Sequence, residues 1–178
     1  MAVNLIVEDG TKVTDANSYC SLSYANAYHT KLGNTDWTGI TDSNIQAQAL
    51  ILATQSLELL YGQRLISFPA SSYQSLLFPR FLMIINKIQV VQANTMPHQL
   101  LDATAEVALM SVNGVEIFPT QNINNFIESK DVSISGGPSK KVKYSKMPFT
   151  EQFVGFNKID LILKPIIMPL NASGSLSL

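Results

Sequence analysis

The sequence predicts a mainly α chain with a β-hairpin: a small helical bundle, the hairpin, and an extended C-terminal arm. Three observations predict it. Capping residues and apolar stripes frame three helices before Gly114. Gly136-Gly137-Pro138 separates two alternating runs. Pro165, Pro169 and the closing Asn-Ala-Ser-Gly-Ser-Leu-Ser-Leu break up the last apolar stretch. The division that follows is a bundle over 1–114, the hairpin with a short helix over 115–164, and an arm over 165–178. A chain of 178 residues accommodates one domain with an appendage.

Val3–Val7 is apolar enough for a short strand, and Glu8-Asp9-Gly10 then turns the chain. Ser21 caps a helix over Leu22–Leu32, which Gly33 ends. Tyr24, Ala27 and Tyr28 share one face of it, flanked by Ala25 and Leu32. This presents phenols, for core packing with boundary hydroxyls or, alternatively, for base stacking. Asn34–Gly39 reads as a loop carrying Trp37, the sole tryptophan. Thr41 or Asp42 caps a second helix over Ser43–Tyr61, with Ile45, Ala49, Leu52, Ala53, Ser56, Leu57 and Leu60 as its inward stripe. Arg64–Arg80 is a connection in which Ser71, Ser72 and Gln74 start a short helical turn that stops at Phe78-Pro79-Arg80. The β-branched Phe81–Val91 favours extended structure. Pro97 opens a third helix that runs to Val112. On it Leu100, Leu101, Thr104, Val107, Ala108 and Ser111 face inward, and Asp102 and Glu106 outward. Phe126–Ser135 and Lys140–Lys146 form the hairpin, and Phe153–Leu163 a short helix. The apolar, irregular tail reads as an arm that orders on a partner.

Charged residues make up 14% of the chain, against roughly 25% in an ordinary domain. Such a surface resists self-association weakly. Residues 1–120 hold 5 basic and 9 acidic groups; residues 121–178 hold 7 and 4. The net charge is therefore about −4 and about +3, and clustered basic residues occur only around Lys140. No stretch reads as a signal peptide or a transmembrane helix.

No catalytic or metal-binding constellation emerges, so neither an enzyme nor a cofactor is expected. His29 and His98 lack partners at ligand spacing, and Cys20 has no adjacent base. Gly136-Gly137-Pro138-Ser139-Lys140 lacks the spacing of a phosphate loop. The lysines of the hairpin suit phosphates or acidic partners, or simply protect an edge strand.

Leu5-Ile6-Val7-Glu8-Asp9-Gly10-Thr11 followed by Asp15-Ala16-Asn17-Ser18-Tyr19 resembles a phage family often labelled "putative DnaT-like single-stranded DNA binding protein". So does Ala25–Trp37, with His29, Gly33 and Trp37. The likeness continues through Ala47–Tyr61, Phe78-Pro79-Arg80, Met96–Ala108, Ser129–Tyr144 and Asp160–Ile167. It departs at Phe78, where tryptophan is more usual, and in the more apolar Phe81–Val91. Members of that family look like head-to-tail adaptors of tailed phages. The resemblance implies a structural virion protein in the neck, assembled in the host cytoplasm. It implies a homo-oligomeric ring of about twelve copies between portal and tail or nozzle proteins, with DNA passing through the lumen. Tyr24, Tyr28, Lys140, Lys141, Lys143, Tyr144, Pro165, Ile166, Ile167 and Met168 are the candidate partner or oligomer contacts. The alternative is a single-stranded-DNA-binding replication protein.

Overall fold

Side-chain caps set the helix frame. In the computed structural model, Ser21 Oγ accepts from the Tyr24 amide at 3.1 Å and starts α1 (Leu22–Leu32). Gly33 closes it in the left-handed region, donating to His29 and Thr30 carbonyls. Asp42 caps α3 (Ser43–Tyr61) through the Asn44 amide at 2.8 Å. Between them, the expected loop contains a one-turn helix α2 (Thr35–Thr38). It sinks Trp37 fully into the core, where the indole N–H donates to Asn26 Oδ1 at 2.8 Å. Helix α4 (His98–Val112) follows Pro97, and α5 (Asn157–Leu163) lies near the C-terminus.

The structure describes residues 2–81, 83–85, 89–115, 117, 127–134, 138–144 and 157–168; residues 89–91, 127–134, 138–144 and 157 are described by backbone alone. The chain divides into two units, Met1–Ile117 with Lys158–Leu178, and Phe118–Asn157. The sequence-based boundaries at 114 and 164 thus differ, because α5 returns to the helical unit.

Helix α4 is the axis of the helical unit. It packs chiefly on α3 and also on α1 and α2. Its run from Ala103 to Ala108 is buried on every side. Alanines at 103, 105 and 108 of α4 and at 47, 49 and 53 of α3 let the backbones approach closely. This corrects two expectations. Glu106 is buried rather than outward. Ile45 and Leu52 are exposed, and the inward stripe of α3 rotates to Ala47, Leu50, Ala53, Leu57 and Tyr61 with the polar Gln46, Thr54 and Ser56. Hydrophobicity ranks Ile and Leu above Ala, but close helix contact selects small side chains, and the polar ones have partners. Gln46 donates to Asn26 Oδ1 and the Trp37 carbonyl, and Ser56 to the Leu52 carbonyl.

Val3–Val7 forms no regular strand. Val7 makes a single parallel bridge with Ser18, the Val3 amide donates to Asn44 Oδ1 at 2.9 Å, and Asn17 pairs with the stretch between Val3 and Val7. Its side chain accepts from the Ile6 amide and donates to the Asn4 carbonyl, both at 2.8 Å. The connection after the 3-10 turn Gly62–Arg64 builds two small antiparallel pairs. These are β1 (Phe68–Pro69) with β2 (Arg80–Phe81), and β3 (Met83–Ile85) with β4 (Gln89–Val91). The helical turn expected from Ser71 does not form; the chain makes a plain turn instead, with Gln74 Oε1 accepting from the Ser71 amide at 2.8 Å, a side-chain bond that takes the place of a helical one.

Residues 165–168 correct the predicted arm. Ile159, Leu163, Ile166 and Ile167 are buried. Ile167 bridges Leu65, the Ile66 amide donates to the Ile166 carbonyl at 3.1 Å, and the Met168 amide donates to the Arg64 carbonyl at 2.6 Å. Each such side chain contributes about 1.5–3 kcal/mol on burial, enough to dock this short segment without a partner. Pro165 ends α5 but leaves the docking intact. The remainder of the arm, 169–178, lies outside the described residues.

In the second unit, β5 (Ile127–Ile134) pairs antiparallel with β6 (Pro138–Tyr144), the expected hairpin. Lys140, Lys141 and Lys143 stand opposite Val132, Asp131 and Ser129, and Tyr144 opposite Ile127. Lys146 lies outside the described residues.

Candidate interaction surfaces

The tyrosines of α1 are spent within the subunit. Tyr24 Oη donates to Asp102 Oδ1 and Tyr28 Oη to Glu106 Oε1, each at 2.8 Å. Spacing of four residues on both helices puts the two pairs one turn apart. Lys158 Nζ, on the returning segment, closes on the same Glu106 oxygen at 2.5 Å. Burial raises both phenols above their usual range. They remain protonated donors throughout the ordinary pH range.

Behind this seam, His29 is fully buried. Its Nε2 lies 3.0 Å from the Ala105 carbonyl and its Nδ1 2.9 Å from Asn34 Nδ2. A carbonyl only accepts, so Nε2 carries the proton and Nδ1 accepts from the Asn34 amide. The Trp37 ring lies 4.9 Å away. Burial holds the imidazole below its ordinary value. The unfolded chain therefore takes up a proton first as pH falls, near 6.5, and folding stability declines from there to the folded value. The thermal midpoint of the wild type is expected to drop between pH 7 and pH 5 by more than that of His29→Gln, the extra loss of unfolding free energy having a limiting slope of about 1.4 kcal/mol per pH unit. Parallel midpoints in a melting series would contradict this assignment.

Two further charges are enclosed. Glu58 Oε1 accepts from Tyr19 Oη at 2.5 Å and from the Leu77 amide at 2.6 Å. Arg80 is buried and fans its guanidinium over the carbonyls of Leu65, Ile66, Ser67 and Leu77. Phe78, where the family resemblance favours tryptophan, is fully buried with its ring edge-on to Tyr19, centroids 5.9 Å apart. An open groove of about 460 Å³ borders this region, lined by Glu58, Pro69, Ser71, Ser72 and Leu77 among others.

The surface differs in kind. Phe68 and Phe81 face each other across the β1–β2 pair and are both exposed, as are Tyr73 and Ile84. Among the described side chains of the helical unit, Arg64 is paired with Asp160 at 3.0 Å and Lys158 with Glu106. Of the candidate contacts, Tyr24 and Tyr28 are half-buried on the α1–α4 seam and Pro165–Met168 lie on the docked segment. The four on β6 belong to the second unit and are placed by register alone. The family likeness picked out His29 and Phe78-Pro79-Arg80 but gave neither a structural role: a lone cation and a lone imidazole reveal theirs only through the carbonyls around them. Among the described residues no cluster of His, Cys, Asp or Glu has the makings of a metal site, and no helix is long and apolar enough to cross a membrane.

Fold and surfaces together define a small α-helical protein with a separate β-hairpin unit; most of the buried polar groups of the helical unit are paired, and its β1–β2 pair exposes Phe68 and Phe81. Residues 3–177 match the model of the family described as "Putative DnaT-like ssDNA binding protein", and the chain belongs to that family. No curated protein and no solved structure matches it.

Proposed function

We propose that the chain is a structural virion protein, a head-to-tail adaptor. It assembles as a homo-oligomeric ring between portal and tail or nozzle proteins of a tailed phage and extends the DNA channel. The observation that carries this reading is what the helical unit leaves on its surface. Trp37, Tyr19, Tyr61 and Phe78 are buried, and Arg64, Arg80 and Lys158 are engaged by carboxylates or carbonyls. Phe68, Phe81, Tyr73 and Ile84 are exposed instead. Lys12, Lys31 and Lys164 are exposed as well, but none of them lies on the β1–β2 pair that carries Phe68 and Phe81. Apolar exposed strands suit protein contacts, whereas a single-strand groove needs free cations beside exposed aromatics. The ring, its copy number and the virion location rest on the sequence resemblance. A lumen of low positive charge lets DNA slide rather than adhere.

The second reading, a single-stranded-DNA-binding replication protein, is supported more directly by the family's description. It is also favoured by the lysines at 140, 141 and 143 on one strand. Fluorescence anisotropy with labelled oligo-dT separates the two. The adaptor reading expects no saturable binding between about 50 and about 200 mM salt. Binding that weakens steeply across that range, and is lost on replacing the three lysines by alanine, would establish the second reading instead.

A further inference from the structure

The longest helix leaves an unusual face to solvent. Its exposed ridge is Ile45, Gln48, Leu52, Gln55 and Leu59, alternately three and four residues apart. The three apolar members are 48%, 38% and 75% exposed. Solvated helix faces ordinarily carry Lys and Glu. Here the sole charge on the helix is Glu58, and that carboxylate is occupied by Tyr19 and Leu77 of the same subunit.

We propose that the α3 ridge packs against the same ridge of a second copy of this chain, parallel and in register. Spacing of three and four is the a and d pattern that another helix needs for knobs-into-holes packing. It puts Ile45, Leu52 and Leu59 at a, and Gln48 and Gln55 at d. A symmetric contact sets each residue against its own copy, so like charges would repel; this ridge has none. Primary amides both donate and accept, so Gln48 and Gln55 each satisfy their symmetry mates. The parallel arrangement stacks apolar on apolar and amide on amide. The antiparallel one would set every Ile or Leu layer against Gln. Phosphates find no cation on this ridge, which leaves a neutral helix as its complement.

The ridge is about 21 Å long at the helical rise. An ideal helix drifts only about 20° per heptad from the seam, so both heptads stay in contact. This is small beside the ~800 Å² per partner of a standard interface, so the association is weak and concentration-dependent. A two-fold contact of this kind pairs two copies and does not close a cyclic ring, whose neighbours meet through two different surfaces, so the inference goes beyond the proposed function and stands apart from it.

Sedimentation velocity over a concentration series, on the full chain, tests it together with cysteine cross-linking. Leu59→Glu is expected to keep the wild-type melting temperature, since that side chain is 75% exposed, and to weaken self-association by about tenfold or more. Leu52→Cys and Leu59→Cys are each expected to form a disulfide-linked dimer under mild oxidation; the native Cys20 is buried and does not compete. Cross-linking at 52 but not at 59 would overturn the parallel register. Self-association unchanged by Leu59→Glu, with neither cysteine linking, would overturn the inference while leaving a ring through another surface. A wild type that stays monomeric, with neither cysteine linking, overturns it as well; portal binding then judges the adaptor reading separately.

Discussion

Replacing Arg80 by alanine is expected to lower the thermal midpoint by about 10 °C, the equivalent of about 4 kcal/mol for a chain of this size. The guanidinium is the common partner of four backbone carbonyls. Leu65, Ile66 and Ser67 belong to the segment entering β1, and Leu77 to the segment entering β2. One planar group thereby ties both approaches to the β1–β2 pair. Burial disfavours its charge and depresses its pKa. Contact with carbonyl oxygens compensates, as does the Phe78 ring 5.8 Å from the guanidinium carbon. Alanine removes every donor at once and leaves buried carbonyls unpaired, each costing about 1–3 kcal/mol. Lysine restores the charge but not the planar fork. Arg80→Lys is expected to recover less than half of the loss. If Arg80→Ala melted within about 2 °C of wild type, the carbonyls would have to be satisfied by water, and Arg80 would not organise the strand pair.

Glu8→Ala is expected to cost about 3 kcal/mol, read as a shift in denaturant midpoint with unchanged slope. The Glu8 carboxylate is buried and accepts three amides: Gly10 at 2.8 Å, and Lys12 and Val13 at 2.9 Å. Those bonds hold Lys12 at φ 64°, a conformation non-glycine residues seldom adopt. Gly10, at φ 103°, lies so near the loop before α4 that a Cβ would clash with the Asn94 carbonyl oxygen. The acidic turn is therefore a rigid plug between the N-terminus and the approach to α4. Glu8→Gln is expected to retain part of the stability, since its amide offers one acceptor oxygen where the carboxylate offers two.

Legibility followed the range of each signal. Caps act within three residues, so Ser21, Gly33 and Asp42 placed the ends of α1 and α3 at the observed residues. The hairpin was legible because alternation and a glycine turn are also local. Packing between helices is not local. Glu106 looked like an outward charge until Tyr28 and Lys158, 78 and 52 residues away, closed on it. Docking of 165–168 was hidden for the same reason. The prolines and apolar composition read as an arm, but the partner of Ile166 and Ile167 is Leu65–Ile66 of the same chain. Surface function was least legible. Exposed Phe68 and Phe81 look like core residues in sequence, and only their pairing across a two-residue ribbon leaves both outside.

The central claim is that this chain contacts proteins of the virion neck rather than nucleic acid. The most direct measurement mixes the purified chain with the portal ring of the virion it would belong to and images the product by electron microscopy. The account predicts a second ring stacked on the portal, with the helical unit forming its wall. Bare portal rings at saturating concentrations of the chain, together with salt-sensitive binding of oligo-dT, would contradict it.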